Sequence, residues 1–105
     1  MILEHAVLPV KPGQADDFVA AIVEAKRFIL SSPCCRSLQV LRSIETPDRF
    51  VLLVEWDSVA AHEQGFRGSP AYAEWRRRLH RFYEPMPVVE HFTTVLDEAP
   101  RRYEA

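Results

Sequence analysis

Apolar and polar positions along the chain change period several times, and each change marks an element. Ile2, Ala6 and Leu8 alternate with Leu3 and Val7, the two-residue period of a strand with apolar side chains on both faces. Pro9, Pro12 and Gly13 stop that strand. Ala15, Phe18, Val19, Ile22, Ala25 and Ile29 then follow the i, i+3, i+4, i+7 spacing of a helix, with Asp16 and Asp17 in its first turn, where the helix dipole favours negative charge. Ser31, Ser32 and Pro33 close this helix, and the spacing predicts a second strand over Ser37 to Ile44. Thr46, Pro47 and Asp48 are turn residues, so Arg49 to Trp56 should fold back as a hairpin partner. In that partner Phe50, Leu52, Val54 and Trp56 share one face while Val51 and Leu53 share the other.

Asp57 or Ser58 can cap a short helix through Val59 to His62 that falters at Gly65 and stops by Gly68. Ser69 followed by Pro70 is a cap and first-turn signal, and it opens a helix from Ala71 to about Tyr83 carrying Tyr72, Trp75, Leu79 and Phe82 on one stripe. Pro85 and Pro87 end it, Val88 to Leu96 forms a last strand, and residues 97–105 form a polar tail beyond the 1–96 domain. The element order β, α, β, β, α, β is that of the α+β ferredoxin-like arrangement, with two helices on one side of a four-stranded antiparallel sheet.

Two helices cover one face of such a sheet, yet its strands carry large apolar side chains on both. Leaving about six of them in water forgoes on the order of 10 kcal/mol of burial per subunit. Association costs roughly 4–15 kcal/mol, so pairing the open sheet faces of two copies can win, and a homodimer is expected.

Composition narrows the field. With 105 residues the chain fits one domain, and a formal net charge of −2 offers no field to gather nucleic acid or an anionic membrane surface. The first residues lack the features of a secretory signal and no stretch is apolar enough for a membrane span, which points to a cytoplasmic protein. Cys34 and Cys35 are neighbours, a spacing suited to neither a zinc site nor an unstrained disulfide, and are expected as reduced, packed thiols.

Three stretches resemble one family. VKPGQADDF at residues 10–18, RFVLLVEWDSVAAHEQGFRGSPAYAEW at 49–75 and PVVEHF at 87–92 are similar to the antibiotic biosynthesis monooxygenase superfamily of dimeric α+β barrels. The resemblance implies that barrel and, for the better-understood members, oxidation of aromatic substrates by molecular oxygen with neither metal nor flavin. An electron-rich phenol or its anion can itself reduce oxygen once a proton is removed and both reactants are held in a dry pocket. Other members cleave haem with an Asn, Trp and His constellation, and this chain contains no Asn.

Within that frame His62, which matches the His that follows the strand-ending Trp in many relatives, is a candidate catalytic proton acceptor, as is His91 in the last strand. His5 falls in the first strand, which neighbours the last, so His5 and His91 are expected to face each other across the sheet and His5 to contact substrate. Trp56, Phe66, Tyr72 and Trp75 are candidate substrate-binding walls for a small apolar or aromatic molecule, three of them flanking the break around Gly65 and Gly68. No metal site is expected, since the strand histidines and Glu4 or Glu90 alternate in parity. Arg76, Arg77, Arg78 and Arg81 make the second helix basic, as a solvated face pairing with Glu74 and Glu84 or as a means of recognising an anionic substrate. The function these residues suggest is a cofactor-independent monooxygenase of a small aromatic or quinone-like compound. A barrel that binds a small molecule without chemistry, or an oligomerising stress-response barrel, is the alternative.

Overall fold

A computed structural model of the chain describes residues 1–101; the end of the polar tail, 102–105, lies outside the described residues. Strands β1 (Ile2–Pro9), β2 (Cys35–Arg42), β3 (Arg49–Trp56) and β4 (Val89–Phe92) form one antiparallel sheet in the order β2-β3-β1-β4. Helices α1 (Ala15–Leu30) and α2 (Pro70–Leu79) complete the ferredoxin-like α+β fold. Ser69 caps α2 by accepting from the Tyr72 amide at 3.3 Å, with Pro70 in the first turn, as the sequence predicted.

The two faces of the sheet differ sharply. Ala6, Leu8, Phe50, Leu52, Val54 and Trp56 are buried against Phe18, Ile22 and Ile29 of α1 and Trp75 and Leu79 of α2. The opposite face carries Leu3, His5, Val7, Leu41, Val51, Leu53 and Phe92 by strand parity, and nothing among the described residues covers it. There Val7, Leu41 and Phe92 are 39%, 48% and 45% exposed.

Strand β2 lies two residues earlier at both ends than the expected Ser37 to Ile44, and the elements depart from the sequence reading in three further places. The last strand is four residues long and not the nine from Val88 to Leu96, because β1 is its sole neighbour and their pairing ends at Leu3 opposite Phe92. The helix expected to run to Tyr83 leaves α-geometry at Leu79 and tightens into a 3₁₀ turn over His80–Phe82. Tyr83 then pairs with Val10 beyond the end of β1, which fixes the chain before β4. The short helix after β3 widens into a π turn over Ala61–Phe66, closed by the Arg67 amide donating to the His62 carbonyl at 3.0 Å. Its wider pitch buries His62 and Phe66 together.

Candidate active site

Glu4 is the residue around which the site is built. It lies on β1 between Ile2 and Ala6, on the helix-covered face, and is 4% exposed. A carboxylate there needs donors, since burying it unpaired is costly. The indole Nε1 of Trp56 donates to Glu4 Oε1 at 2.9 Å, and His62 Nε2 lies 3.3 Å from the same oxygen. On its other side His62 Nδ1 is 2.8 Å from Nε2 of His91. The imidazole of His62 also stacks on the Trp56 indole, with planes 17° apart and centroids at 5.2 Å. Register explains the cluster: β1 and β4 pair Glu4 with His91, β1 and β3 place Trp56 two residues along the same face, and the π turn lowers His62 between them.

Electrostatics fixes the direction of these hydrogen bonds. Burial, with help from the Arg67 and His91 charges, pushes His62 down to about 4, so its imidazole is neutral at pH 7. The Glu4 carboxyl oxygen 3.3 Å away favours the proton on Nε2 of His62 as an electrostatic contact. Nδ1 then accepts, and His91 Nε2 is the donor. The order is His91 to His62, with His62 Nε2 set beside the carboxyl oxygen to which Trp56 donates. Burial raises Glu4 above the usual carboxylate range, against the lowering effects of the Trp56 hydrogen bond and of Arg67. Nδ1 of His62 is engaged by His91, and Glu4 and His62 side by side are the groups offered to a neighbouring molecule.

That neighbour would sit in a cavity of about 510 Å³, a volume in the usual range for small-molecule sites. Glu4, Ala6, Leu8 and Leu52 form its floor; Ile29, Phe66, Tyr72, Trp75 and Tyr83 form apolar walls; His62 borders it beside Glu4. Burial raises the Tyr83 hydroxyl well above its ordinary range and, with the Arg76 charge, lowers His80. A larger depression of about 640 Å³ between α1 and α2 is lined by Asp17, Glu24, Arg78 and Arg81 and contains none of these groups.

Of the candidate residues, the cavity lining brings together His62, Phe66, Tyr72 and Trp75. Trp56 lies behind His62 and touches the site through Glu4. His91 stands one hydrogen bond further back. The expected meeting of His5 and His91 is corrected: His5 pairs with Glu90 and His91 with Glu4, so the two histidines occupy opposite faces, and His5 packs edge-on against Phe92 on the uncovered side, away from the cavity. The site residues the sequence reading passed over are Glu4, Arg67, His80 and Tyr83, while Arg76 entered only as part of a basic face. For Glu4 the signal was there: an acidic residue on the face formed by Ile2, Ala6 and Leu8. Among the described residues no group of three or more His, Cys, Asp or Glu side chains could hold a metal; Glu4, His62 and His91 form a line and do not converge on a point. Nor is any described helix long and apolar enough to cross a membrane.

A two-layer ferredoxin-like domain with a small-molecule-sized cavity between sheet and second helix defines the class. The family follows from comparison: the model for antibiotic biosynthesis monooxygenases matches residues 1–78, and the chain belongs to that family. It is 39% identical over 95 residues to the uncharacterized protein YczJ of Bacillus subtilis (strain 168), covering 90% of this chain and 100% of that one. A crystal structure of a Bordetella bronchiseptica protein assigned to the same family superposes with a TM-score of 0.86 at 35% identity, over 90% of this chain and 97% of the other. SnoaB of Streptomyces nogalater, described as a cofactor-independent oxygenase and solved as a mutant, shares the fold, with a TM-score of 0.79 at 14% identity over 91% and 94% of the chains.

Proposed function

We propose that the protein is a cofactor-independent monooxygenase of a small aromatic or quinone-like compound, working as a homodimer through the open sheet face. The observation that carries this reading is a buried carboxyl group, hydrogen-bonded by the Trp56 indole with the His62 imidazole alongside, in the lining of a largely apolar cavity. A base raised toward neutral pH and shielded from water suits removal of a phenolic proton. Glu4 therefore takes the role of proton acceptor for which the sequence suggested His62 or His91, and the two histidines orient it. The resulting electron-rich anion can reduce oxygen directly. In the overall change a CH₂ or equivalent two-hydrogen centre of the substrate becomes C=O; one oxygen atom enters the product and the other leaves as water, with all four electrons supplied by the substrate. Family membership and the SnoaB fold support this class of reaction.

The open face supports the dimer, since Leu3, Val7, Leu41, Val51, Leu53 and Phe92 lie on it, interspersed with His5, Gln39, Glu55 and Glu90, on a chain of a family whose members are commonly dimeric.

Oxygen uptake with a panel of dihydroxyaromatic compounds tests the chemistry. Glu4→Gln keeps an acceptor for Trp56 and His62 and removes the base, so uptake should fall by a factor of about 10²–10⁴. Undiminished uptake in Glu4→Gln removes the proposed base, and substrates that bind without any uptake leave a binding protein in its place.

A further inference from the structure

Of the residues that line the cavity, Arg67, Arg76 and Met86 are exposed, and these mark its mouth. Two guanidinium groups thus stand at the entrance of an otherwise mostly apolar chamber. They flank Tyr72: Arg76 follows it by one helical turn on α2, and Arg67 ends the π turn that precedes the helix. The neighbouring arginines are committed elsewhere. Arg77 pairs with Glu74 at 2.6 Å, and Arg78 approaches the same carboxylate at 3.7 Å. Among the described residues Arg67 and Arg76 have no acidic partner within ion-pair distance. The groups their charges do reach are inside: Arg67 acts on Glu4 and His62, and Arg76 on His80.

We propose that the mouth is an anion subsite and that the physiological ligand is an aromatic acid, its ring in the apolar chamber, its hydroxyl at Glu4 and its carboxylate between Arg67 and Arg76. Planar guanidinium groups pair with carboxylates through two parallel N–H donors, and the pairing is stronger where the ring beside it has displaced water. The two ends of the site then select different parts of one molecule. The apolar walls take any flat ring, whereas the arginines reject the neutral analogue by leaving their charges unmatched. The arrangement also orients the ring, since a carboxylate anchored at the mouth leaves its opposite edge toward the floor where Glu4 lies.

This inference rests on the cavity being the substrate site of the proposed oxygenase, and its test is kept separate from turnover. Calorimetric titration of the full chain with 6-hydroxy-2-naphthoate and with 2-naphthol compares one ring system with and without the acid. The acid should bind about tenfold more tightly at low salt. In the Arg67→Gln, Arg76→Gln double variant the two ligands should bind alike, while Arg77→Gln, outside the cavity, should keep the preference. Equal binding by the parent protein overturns the subsite, as does a preference that survives the double variant, and absence of binding by both ligands overturns the subsite and the chamber together. Preference for the acid without oxygen uptake on any dihydroxyaromatic acid leaves the anion subsite standing and removes the oxygenase. Uptake without preference does the reverse.

Discussion

His91 Nε2 and His62 Nδ1 share a hydrogen bond of 2.8 Å, and this one contact sets which nitrogen of His62 faces Glu4. The His62 ring is 3% exposed, so its Nδ1 has no recourse to bulk water if the donor is lost. His91→Phe should therefore cost about 1–3 kcal/mol in urea unfolding, the usual penalty for an orphaned buried acceptor. His91→Gln, whose amide N–H can take the same place, should recover most of that loss. Equal stabilities for the two variants would show that the bond does not hold His62.

The neutral state of His62 makes stability depend on pH with a definite sign. Its folded value of about 4 lies below the ordinary 6.5, so between those limits the unfolded chain binds more protons. Stability should thus rise as pH goes from 4 to 6.5, by at most on the order of 3 kcal/mol. Glu4 works in the opposite sense. Its raised folded value means the folded chain holds more protons above the ordinary carboxylate value, so its contribution falls with rising pH and trims the gain. Urea midpoints at about pH 4.5 and 6.5 should differ in the parent and differ less in His62→Gln. A pH difference as large in His62→Gln as in the parent contradicts a buried neutral imidazole.

Periodicity carried most of the fold because most elements bury one clean stripe. Phe18, Ile22, Ala25 and Ile29 could lie nowhere but on the inner side of α1, and Phe50, Leu52, Val54 and Trp56 required a covered strand face. What periodicity leaves open is register. Sliding β4 by one residue along β1 would exchange the faces of His91 and Glu90, and nothing in VVEHF decides between them, because both sets include apolar residues. That is why His5 was expected opposite His91. Glu4 was legible as a polar residue on an apolar face, but its partners come from β3, the π turn and β4, which only the folded chain brings together.

The π turn that delivers His62 depends on Gly68. A Cβ there would stand 2.5 Å from the Gln64 carbonyl oxygen, a backbone atom that cannot move aside without disturbing the turn. Gly68→Ala should cost about 1–3 kcal/mol, and it should weaken ligand binding by displacing Arg67 and Phe66. Gly65, inside the same turn, has nothing within 4 Å of such a Cβ, so Gly65→Ala should be neutral or stabilising by up to about 1 kcal/mol. Thermal melts of the pair check this, and a Gly68→Ala protein that melts with the parent would mean the turn has room to give.

The open side of the sheet yields the clearest separation of association from folding. Leu53 is central there, opposite His5 on β1 and Gln39 on β2, while its chain neighbours Leu52 and Val54 point into the helix-covered core. A carboxylate at position 53 would be hydrated in a single chain and desolvated in a pair, so Leu53→Asp should penalise the dimer far more than the fold. Val7→Lys, on the next strand of the same face and already 39% exposed, should act likewise and guards against an effect peculiar to one site. Light scattering at micromolar concentration should give the parent twice the 12.1 kDa chain mass and both variants the single mass, with far-ultraviolet circular dichroism unchanged. A parent that scatters as a single chain, or variants that remain paired, would place the dimer contact elsewhere or remove it.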